Sequence, residues 1–182
     1  MNCKISDTKF LELLIKHHDA TINKSKIVMM ISKDDFIIDF ARRTIYNNTN
    51  GIMLMERLLK NIPNIQNEKS CNSANTVLSA KLNQIYPNVF ESFKCNEEQL
   101  ESVGDQVITT EKFEKISDTE YVNNMLEYHK YSIKLSSLLI KSTKEPKLLH
   151  LAQTILLNEE KEIFLLKNLY GCTKYNWRNN IK

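Results

Sequence analysis

Two histidines and two glutamates occupy positions from which they could bind a metal ion in a helical protein. Glu159 and Glu162 are three residues apart, so they share one face of a helix. Glu159 falls within an apolar helical stripe, where a charge is costly unless it is paired or bound to a metal. His18 and His129 fall in the corresponding stripes of two other segments. Two imidazoles and two carboxylates converging from three helices suit a divalent ion such as zinc, iron or manganese.

The same four residues have a second interpretation that needs no ion. Each histidine, if neutral, could instead bridge to a glutamate in a buried hydrogen-bond network. Two further histidines are expected outside the site. His17 points about 100° away from His18 on a helix, and we expect it at the boundary of the bundle, bonded to the connecting segment. His150 is expected at the solvent edge.

Other motifs narrow the possible chemistry. Five methionines could form a soft copper(I) site, but core packing is the simpler role for a flexible thioether; they are Met29, Met30, Met53, Met55 and Met125. The chain contains no Glu-x-x-His motif, which disfavours a di-iron oxidase or an iron store. It also lacks the P-loop, GxGxxG, GxSxG and HExxH patterns. We therefore expect a protein that is not an enzyme, with catalysis by the histidine and carboxylate group as a weaker alternative.

An internal repeat organises the chain. When the sequence is shifted by 111 residues, Ser6 falls on Ser117 and His18 on His129, without a gap. From residue 6 to residue 59, 12 of 54 positions are identical. Such self-similarity indicates duplication of one structural unit.

Each repeat has the pattern of a helical hairpin, with apolar residues spaced by three and four. The first helix is expected to begin at Asp7, capped by Ser6 or Asp7, and residues 32–34 break and re-cap the chain. Pro146 is placed near the start of the fourth helix, and Gly171 near its end. The sequence thus predicts one domain with a first hairpin at 6–60, a connecting insert at 61–117 containing short helices, a second hairpin at 118–172 and a tail at 173–182.

Composition agrees with a helical domain and excludes several classes. The chain has 182 residues, of which 42% are hydrophobic and 26% charged, and only three are Gly and three Pro, which disfavours a many-stranded fold. The net charge is only +3, and acidic residues are interspersed among the basic ones. No specific nucleic-acid role is therefore expected. No apolar run reaches the roughly 18 to 20 residues of a membrane span, and the amino terminus lacks a signal core. The cysteines include no CxxC pair and are expected to be free thiols, with pairing of Cys71 and Cys95 as an alternative.

Two segments resemble a known family. Residues 10–22, FLELLIKHHDATI, and residues 151–163, with Leu151-Ala152, Ile155, Glu159 and Glu162-Ile163, resemble the ferritin-like "domain of unknown function 305" family. Its members repeat a His-His helix followed by an LAxxIxxxQxxEI helix, in tandem, and this chain has Glu159 at the Gln position. The resemblance implies an all-α, ferritin-like four-helix bundle. Some members look like handlers of copper or other metals, which implies one bound ion (zinc, iron, manganese or copper).

This chain departs from the family pattern at several positions. The first repeat has Asn48 and Gly51 where the second has Glu159 and Glu162, and the second repeat has Tyr128 in place of the first histidine of the pair. Most of the family's methionine positions hold other residues. This chain therefore keeps only part of the family's histidine and methionine residues.

The sequence therefore supports one main hypothesis and one alternative. The main hypothesis is a non-enzymatic helical bundle that binds one divalent or copper ion in its core. The alternative is a metal-free structural or protein-interaction component, for example of a large DNA virus particle, since the excess of Asn, Ile and Lys is typical of AT-rich genomes. We expect a protein partner or a homo-oligomer, no membrane, and a cytoplasmic or virion location.

Overall fold

The structure is a computed structural model that describes residues 5–65 and 116–170. These two ranges are helical and contain no strand, as predicted for an all-α protein. The helices are α1 (Asp7–Ile31), α2 (Asp35–Ile65), α3 (Asp118–Ser142) and α4 (Pro146–Leu165), and α4 continues into a π-helical turn (Leu166–Tyr170). The predicted short helices of the insert, the tail, Gly171 and the Cys71–Cys95 alternative lie outside the described residues.

The duplication is visible in how the first helix of each hairpin begins. The hydroxyl of Ser6 accepts a hydrogen bond from the backbone N–H of Lys9, at 3.2 Å. Ser117 accepts from the backbone N–H of Glu120, also at 3.2 Å. A serine N-cap satisfies one of the four free donors at a helix start. The predicted cap at Ser6 is confirmed, and its equivalent is found 111 residues later.

The turns between the helices of each hairpin are equivalent in the same way. The carboxylate of Asp34 accepts from the backbone N–H groups of Phe36 at 2.9 Å and Ile37 at 3.3 Å. At the matching position the carboxylate of Glu145 accepts from the N–H of Lys147, at 3.1 Å. Pro146 occupies the first turn of α4, as expected, because a proline there loses no intrahelical hydrogen bond.

Two helix ends differ from the prediction. Helix α2 runs to Ile65, beyond the expected boundary at residue 60. The α-helical part of α4 ends at Leu165, and the last turn widens into the π form. Apolar spacing marks which face is buried but not whether a final turn stays α-helical, so neither end could be located from the periodicity.

The hairpins pack through their first helices. Helix α1 packs on α2 and α3 on α4 within the hairpins, and α1 packs on α3 between them. Helices α1 and α3 run antiparallel. The hydroxyl of Ser25, near the end of α1, forms a hydrogen bond at 2.8 Å with that of Tyr121, near the start of α3, and Ser142 at the end of α3 donates to the carbonyl of Ile5, before α1, at 3.2 Å. No helix in the described ranges is both long enough and apolar enough to cross a membrane.

The core consists of two apolar clusters separated by a polar layer. One cluster joins the start of α1 to the end of α3, and its fully buried members are Phe10, Leu11, Leu14, Met55, Leu135, Leu139, Leu148 and Ala152. The other joins the end of α1 to the start of α3, with Val28, Ile37, Phe40, Ala41, Tyr121 and Met125 fully buried. Between them along the helices lie the buried polar side chains that we call the polar layer: His17, His18, His129, Ser132 and Glu159.

Candidate functional site

A cavity of about 390 Å³ lies between α2 and α4, and all four predicted site residues line it. His18 from α1, together with His129 and Glu159, is buried and forms its floor. Exposed side chains from α2 and α4 form its rim. The lining residues at the rim are Asn47, Asn50, Leu54, Thr154, Asn158 and Lys161.

A buried carboxylate organises one side of the floor. Glu159 is 9% exposed, and both of its oxygens have partners. One contacts Nδ1 of His129 in a short hydrogen bond, and the other accepts from the hydroxyl of Ser132 at 2.9 Å. Burial by itself raises the pKa of Glu159, but the charge and hydrogen bond of His129, with smaller contributions from His18 and His17, outweigh burial and lower that pKa overall. Glu159 is therefore held as an anion.

This arrangement decides part of what the sequence left open. The alternative to an ion was a hydrogen-bond network in which each histidine bridges to a glutamate. Such a bridge is present between His129 and Glu159, whereas Nδ1 of His18 has no partner in the described ranges. The bridge does not use the whole imidazole of His129, because Nε2 is buried and has no hydrogen-bond partner within the described ranges. An ion bound at Nε2 is thus compatible with the network at Nδ1.

Two more buried polar atoms near the cavity lack partners. Nδ1 of His18 and Oε2 of Glu162 have no hydrogen-bond partner among the residues that the structure places. Burial in the first place, and the nearby charge of His129, lower the pKa of His18, so its imidazole is neutral and can donate a lone pair. Unsatisfied buried nitrogen and oxygen atoms are costly, and a bound ligand would satisfy them.

Glu162 has a different environment from Glu159. It is partly buried, and burial raises its pKa despite the positive charges of Arg43 and Lys161 nearby. The two glutamates share one helix face and line one cavity, as their spacing predicts. Their roles nevertheless differ, since only Glu159 is bonded to a histidine.

The first repeat lacks the carboxylates of the second. Asn48 stands at the position equivalent to Glu159, and Gly51 at that of Glu162. Thr21, the equivalent of Ser132, donates to the backbone carbonyl of His17 at 2.8 Å instead of to a carboxylate. The cavity is therefore asymmetric although the helices around it repeat.

No preformed ion cluster is present in the parts of the chain at 5–65 and 116–170. There, no group of three or more His, Cys, Asp or Glu side chains is arranged so that it could hold a metal ion. The four predicted residues thus share a cavity without forming a three-ligand cluster in this conformation.

The expectation for His17 is wrong. It is buried, not at the boundary, and its ring packs between α1 and α3 against Tyr128 at 5.2 Å and Tyr131 at 5.0 Å. Two neighbouring histidines on α1 are both buried because α2 and α3 cover adjacent faces of that helix. His150 is exposed, as expected.

The methionines divide between core and surface. Met55 and Met125 are fully buried, each in a different apolar cluster, as the packing interpretation predicts. Met30 and Met53 are exposed. These four methionines therefore do not lie together at one place.

Sequence reasoning missed three contributors to the site: Ser132, Gly51 and Lys161. Ser132 follows His129 by three residues and so shares its helix face, a signal that the sequence contains. The role of Gly51 was not visible, because it depends on how close α1 lies to α2. Lys161 lies between Glu160 and Glu162, and such a charged run is typical of an exposed helix face.

Comparisons with known proteins address the fold and the family. The family model described as "Domain of unknown function (DUF305)" matches residues 7–170. The crystal structure of a DUF305 fragment from Deinococcus radiodurans superimposes with a TM-score of 0.59 over 94% of this chain and 99% of that fragment, at 11% sequence identity. At that identity the likeness shows the fold alone. No functionally described protein matches the sequence.

Proposed function

The chain belongs to the domain of unknown function 305 family, and we propose that it is a non-enzymatic helical bundle that binds one metal ion in the cavity between α2 and α4. The ion is divalent (zinc, iron or manganese) or copper. His129, His18 and Glu162 hold it, and Glu159 orients His129.

The environment of His129 carries this proposal. Its Nδ1 is bonded to the buried carboxylate of Glu159, and its Nε2 is buried without a partner in the described part of the chain. Histidines that bind metals in proteins usually place the second ring nitrogen against a carboxylate or carbonyl, which fixes the tautomer and raises the basicity of the binding nitrogen. Ser132 donates a hydrogen bond to the other oxygen of the Glu159 carboxylate. This fixes the carboxylate and, through it, the orientation of the imidazole.

The other donors lie on the same cavity. His18 supplies a second buried imidazole from α1, and Glu162 supplies a partly buried carboxylate one turn of α4 after Glu159. Two imidazoles and one carboxylate are a donor set that zinc, iron and manganese accept. Because these side chains do not form a three-ligand cluster in the described ranges, binding requires at least one of them to change its rotamer. Glu162 is the least buried of the three.

Elemental analysis of the purified protein tests the proposal. We expect one equivalent of metal after expression with supplemented zinc, iron, manganese and copper, and loss of that equivalent in His129→Ala and Glu162→Gln. His150→Ala is the matched control, because His150 is an exposed histidine that does not line the cavity. Cobalt absorption distinguishes this site from adventitious binding at cysteine, because thiolate ligation adds charge-transfer bands. A metal-free wild type, or equal metal in all variants, would refute the proposal.

A second candidate function rests on a different observation. Large apolar side chains are exposed on the two helices that flank the cavity, namely Tyr46, Met53 and Leu54 on α2 and Leu157 and Phe164 on α4. A contiguous patch of exposed apolar groups is typical of a protein-interaction surface, and we propose that these side chains form such a patch. This favours a structural or interaction component, including a component of a virus particle, for which the metal is dispensable. Light scattering of the wild type and of the double variant Leu157→Lys/Phe164→Lys measures the oligomeric state. The same oligomeric state in both proteins would count against the interaction function.

A further inference from the structure

The exposed apolar side chains of α2 and α4 follow the internal repeat. Tyr46 and Met53 on α2 are 70% and 49% exposed. Their equivalents 111 residues later are Leu157 and Phe164 on α4, which are 64% and 62% exposed. The two members of each pair are seven residues apart, about two helical turns, so they lie on one side of their helix. We call these two pairs the twin stripes.

Other exposed apolar positions do not repeat. Met30 and Ile31, at the end of α1, are 77% and 42% exposed, but their equivalents are the polar residues Lys141 and Ser142. Single exposed apolar side chains are normal on a protein surface and need no explanation. Within residues 5–65 and 116–170, apolar exposure in both repeats is therefore confined to α2 and α4.

The twin stripes flank the mouth of the cavity. Asn50 lies four residues after the first member of the α2 stripe, and Lys161 lies four residues after the first member of the α4 stripe. Both residues line the rim of the cavity. Helices α2 and α4 run antiparallel, because each reverses the direction of the first helix of its hairpin and those first helices are antiparallel. An approximate twofold axis that passes between α2 and α4 therefore relates the two stripes.

The apolar area of this face is what a stable dimer needs. Together with Leu54, which is 48% exposed, the twin stripes present five large apolar side chains. At these exposures, side chains of about 150 to 200 Å² each present roughly 500 Å² of apolar surface. A standard interface of about 800 Å² on each partner, about 65% apolar in homodimers, requires about the same apolar area.

A second copy of the chain is the partner that fits a duplicated face. A closed dimer forms through one surface that is complementary to itself. A face that carries the same stripe twice about a twofold axis meets this condition, because an apolar stripe meets an apolar stripe whether α2 packs on α2 or on α4 of the second copy. An unrelated partner would not require both repeats to keep the stripe.

We propose that two copies of this chain associate through the twin stripes, so that each copy covers the cavity mouth of the other. This inference rests on the second candidate function, the interaction surface, and it names the partner. It does not depend on a bound metal ion.

Sedimentation equilibrium of the full chain, with a reducing agent and EDTA present, tests the inference. We expect the wild type to have twice the mass of one chain. The α2 variant Tyr46→Lys/Met53→Lys and the α4 variant Leu157→Lys/Phe164→Lys should each weaken association roughly 100-fold or more, because charges would be buried at the centre of the interface. Circular dichroism should show both variants folded, since the replaced side chains are exposed.

Matched variants show whether the partner is a second copy. Met30→Lys changes an exposed methionine on α1, outside the face, and should leave the dimer intact. The α2 lysine variant is then mixed with Tyr46→Glu/Met53→Glu or with Leu157→Glu/Phe164→Glu. A heterodimer should form in at least one mixture, since lysine and glutamate then face each other, and the productive mixture identifies which helices meet.

The possible outcomes separate the inference from the function on which it rests. Loss of the dimer in only one of the two lysine variants overturns the duplicated face but leaves an interaction surface. A dimer that persists in both variants overturns the inference and the interaction function together. The inference also fails if neither mixture forms a heterodimer or if the wild type is a monomer. Fluorescence of the apolar dye bis-ANS then distinguishes a face open to another protein, which binds the dye, from one that the chain itself covers.

Discussion

Gly51 on α2 leaves the space that the imidazole of His18 on α1 fills. A Cβ at Gly51 would lie 3.1 Å from Cδ2 and 3.3 Å from Nε2 of His18, closer than most side-chain contacts. The equivalent residues in the second repeat are Glu162 and His129. Both halves of the cavity therefore carry an imidazole, but only the second repeat adds a carboxylate at the equivalent of Gly51, where the first repeat has bare backbone packed against the imidazole.

Gly51→Ala should disturb His18 without unfolding the protein. Alanine in a helix interior is favoured over glycine by about 1 kcal/mol, but here the crowding of His18 offsets that gain. We expect the free energy of unfolding to stay within about 1 kcal/mol of wild type, while the NMR resonances of the His18 ring shift. Thr49→Ala is the control, because Thr49 is exposed on the same helix and does not line the cavity. An unshifted His18 would argue against the close packing.

Removing His129 should cost more than neutralising its partner. His129→Ala leaves the buried carboxylate of Glu159 with Ser132 alone, and an uncompensated buried charge costs about 3 kcal/mol or more. Glu159→Gln removes the buried charge itself, so only hydrogen bonds are weakened, and it should cost about 1 to 2 kcal/mol. Urea denaturation of both variants measures this order, with Glu127→Gln, an exposed change on α3, as control. Equal and small costs would contradict the buried network.

The repeat predicts a stabilising substitution in the core. Ser25 and Tyr121 form a hydrogen bond between α1 and α3. Their equivalents are Ser136 and Phe10, and the Ser136 hydroxyl is buried without a partner in the ranges that the structure covers. Phe10→Tyr should supply that partner and gain about 1 kcal/mol, while Tyr121→Phe should lose a similar amount.

Chemical denaturation of the two variants checks this pair of predictions. A similar loss of unfolding free energy in both variants would show that the new hydroxyl of Phe10→Tyr finds no partner at Ser136. The symmetry argument would then fail at this position, since a buried unpaired hydroxyl costs about 1 to 3 kcal/mol.

Acid should destabilise the protein through His17. Burial, with a smaller electrostatic contribution from His18, lowers the pKa of His17 to about 3 from its ordinary value of 6.5. Between these values the unfolded chain binds a proton that the folded chain does not, so the free energy of unfolding falls as the pH drops below about 6.5. Above that pH the histidine is neutral in both states and contributes no pH dependence.

Urea midpoints measured from pH 7 to pH 4 check this dependence. His17→Phe should reduce the slope of the profile, because the ring still fills the space against Tyr128 and Tyr131 but no longer titrates. The lowered pKa of His18 keeps part of the slope. His150→Phe replaces an exposed histidine and should leave the slope as in wild type. Parallel profiles for all three proteins would exclude His17 as the source.

Local signals in the sequence were sufficient for the helices. A serine at the start of a helical apolar pattern can accept a hydrogen bond from the backbone N–H three residues later, so Ser6 could be identified from its neighbours alone. Proline at the start of α4 is equally local. The π-helical turn after Leu165 could not be predicted, because it departs from the spacing on which the prediction rests.

The sequence by itself determined four helices in two equivalent hairpins, and it placed His18, His129, Glu159 and Glu162 on inward faces, because helical periodicity and capping act within a few residues. Only the tertiary structure decided which histidine meets a carboxylate. That depends on how α3 and α4 are rotated and spaced against each other. Because α1 packs closely on α2, the imidazole of His18 occupies the space beside Gly51. The α1–α3 contact likewise buries His17. Such contacts join residues far apart in the chain, and no local pattern encodes them.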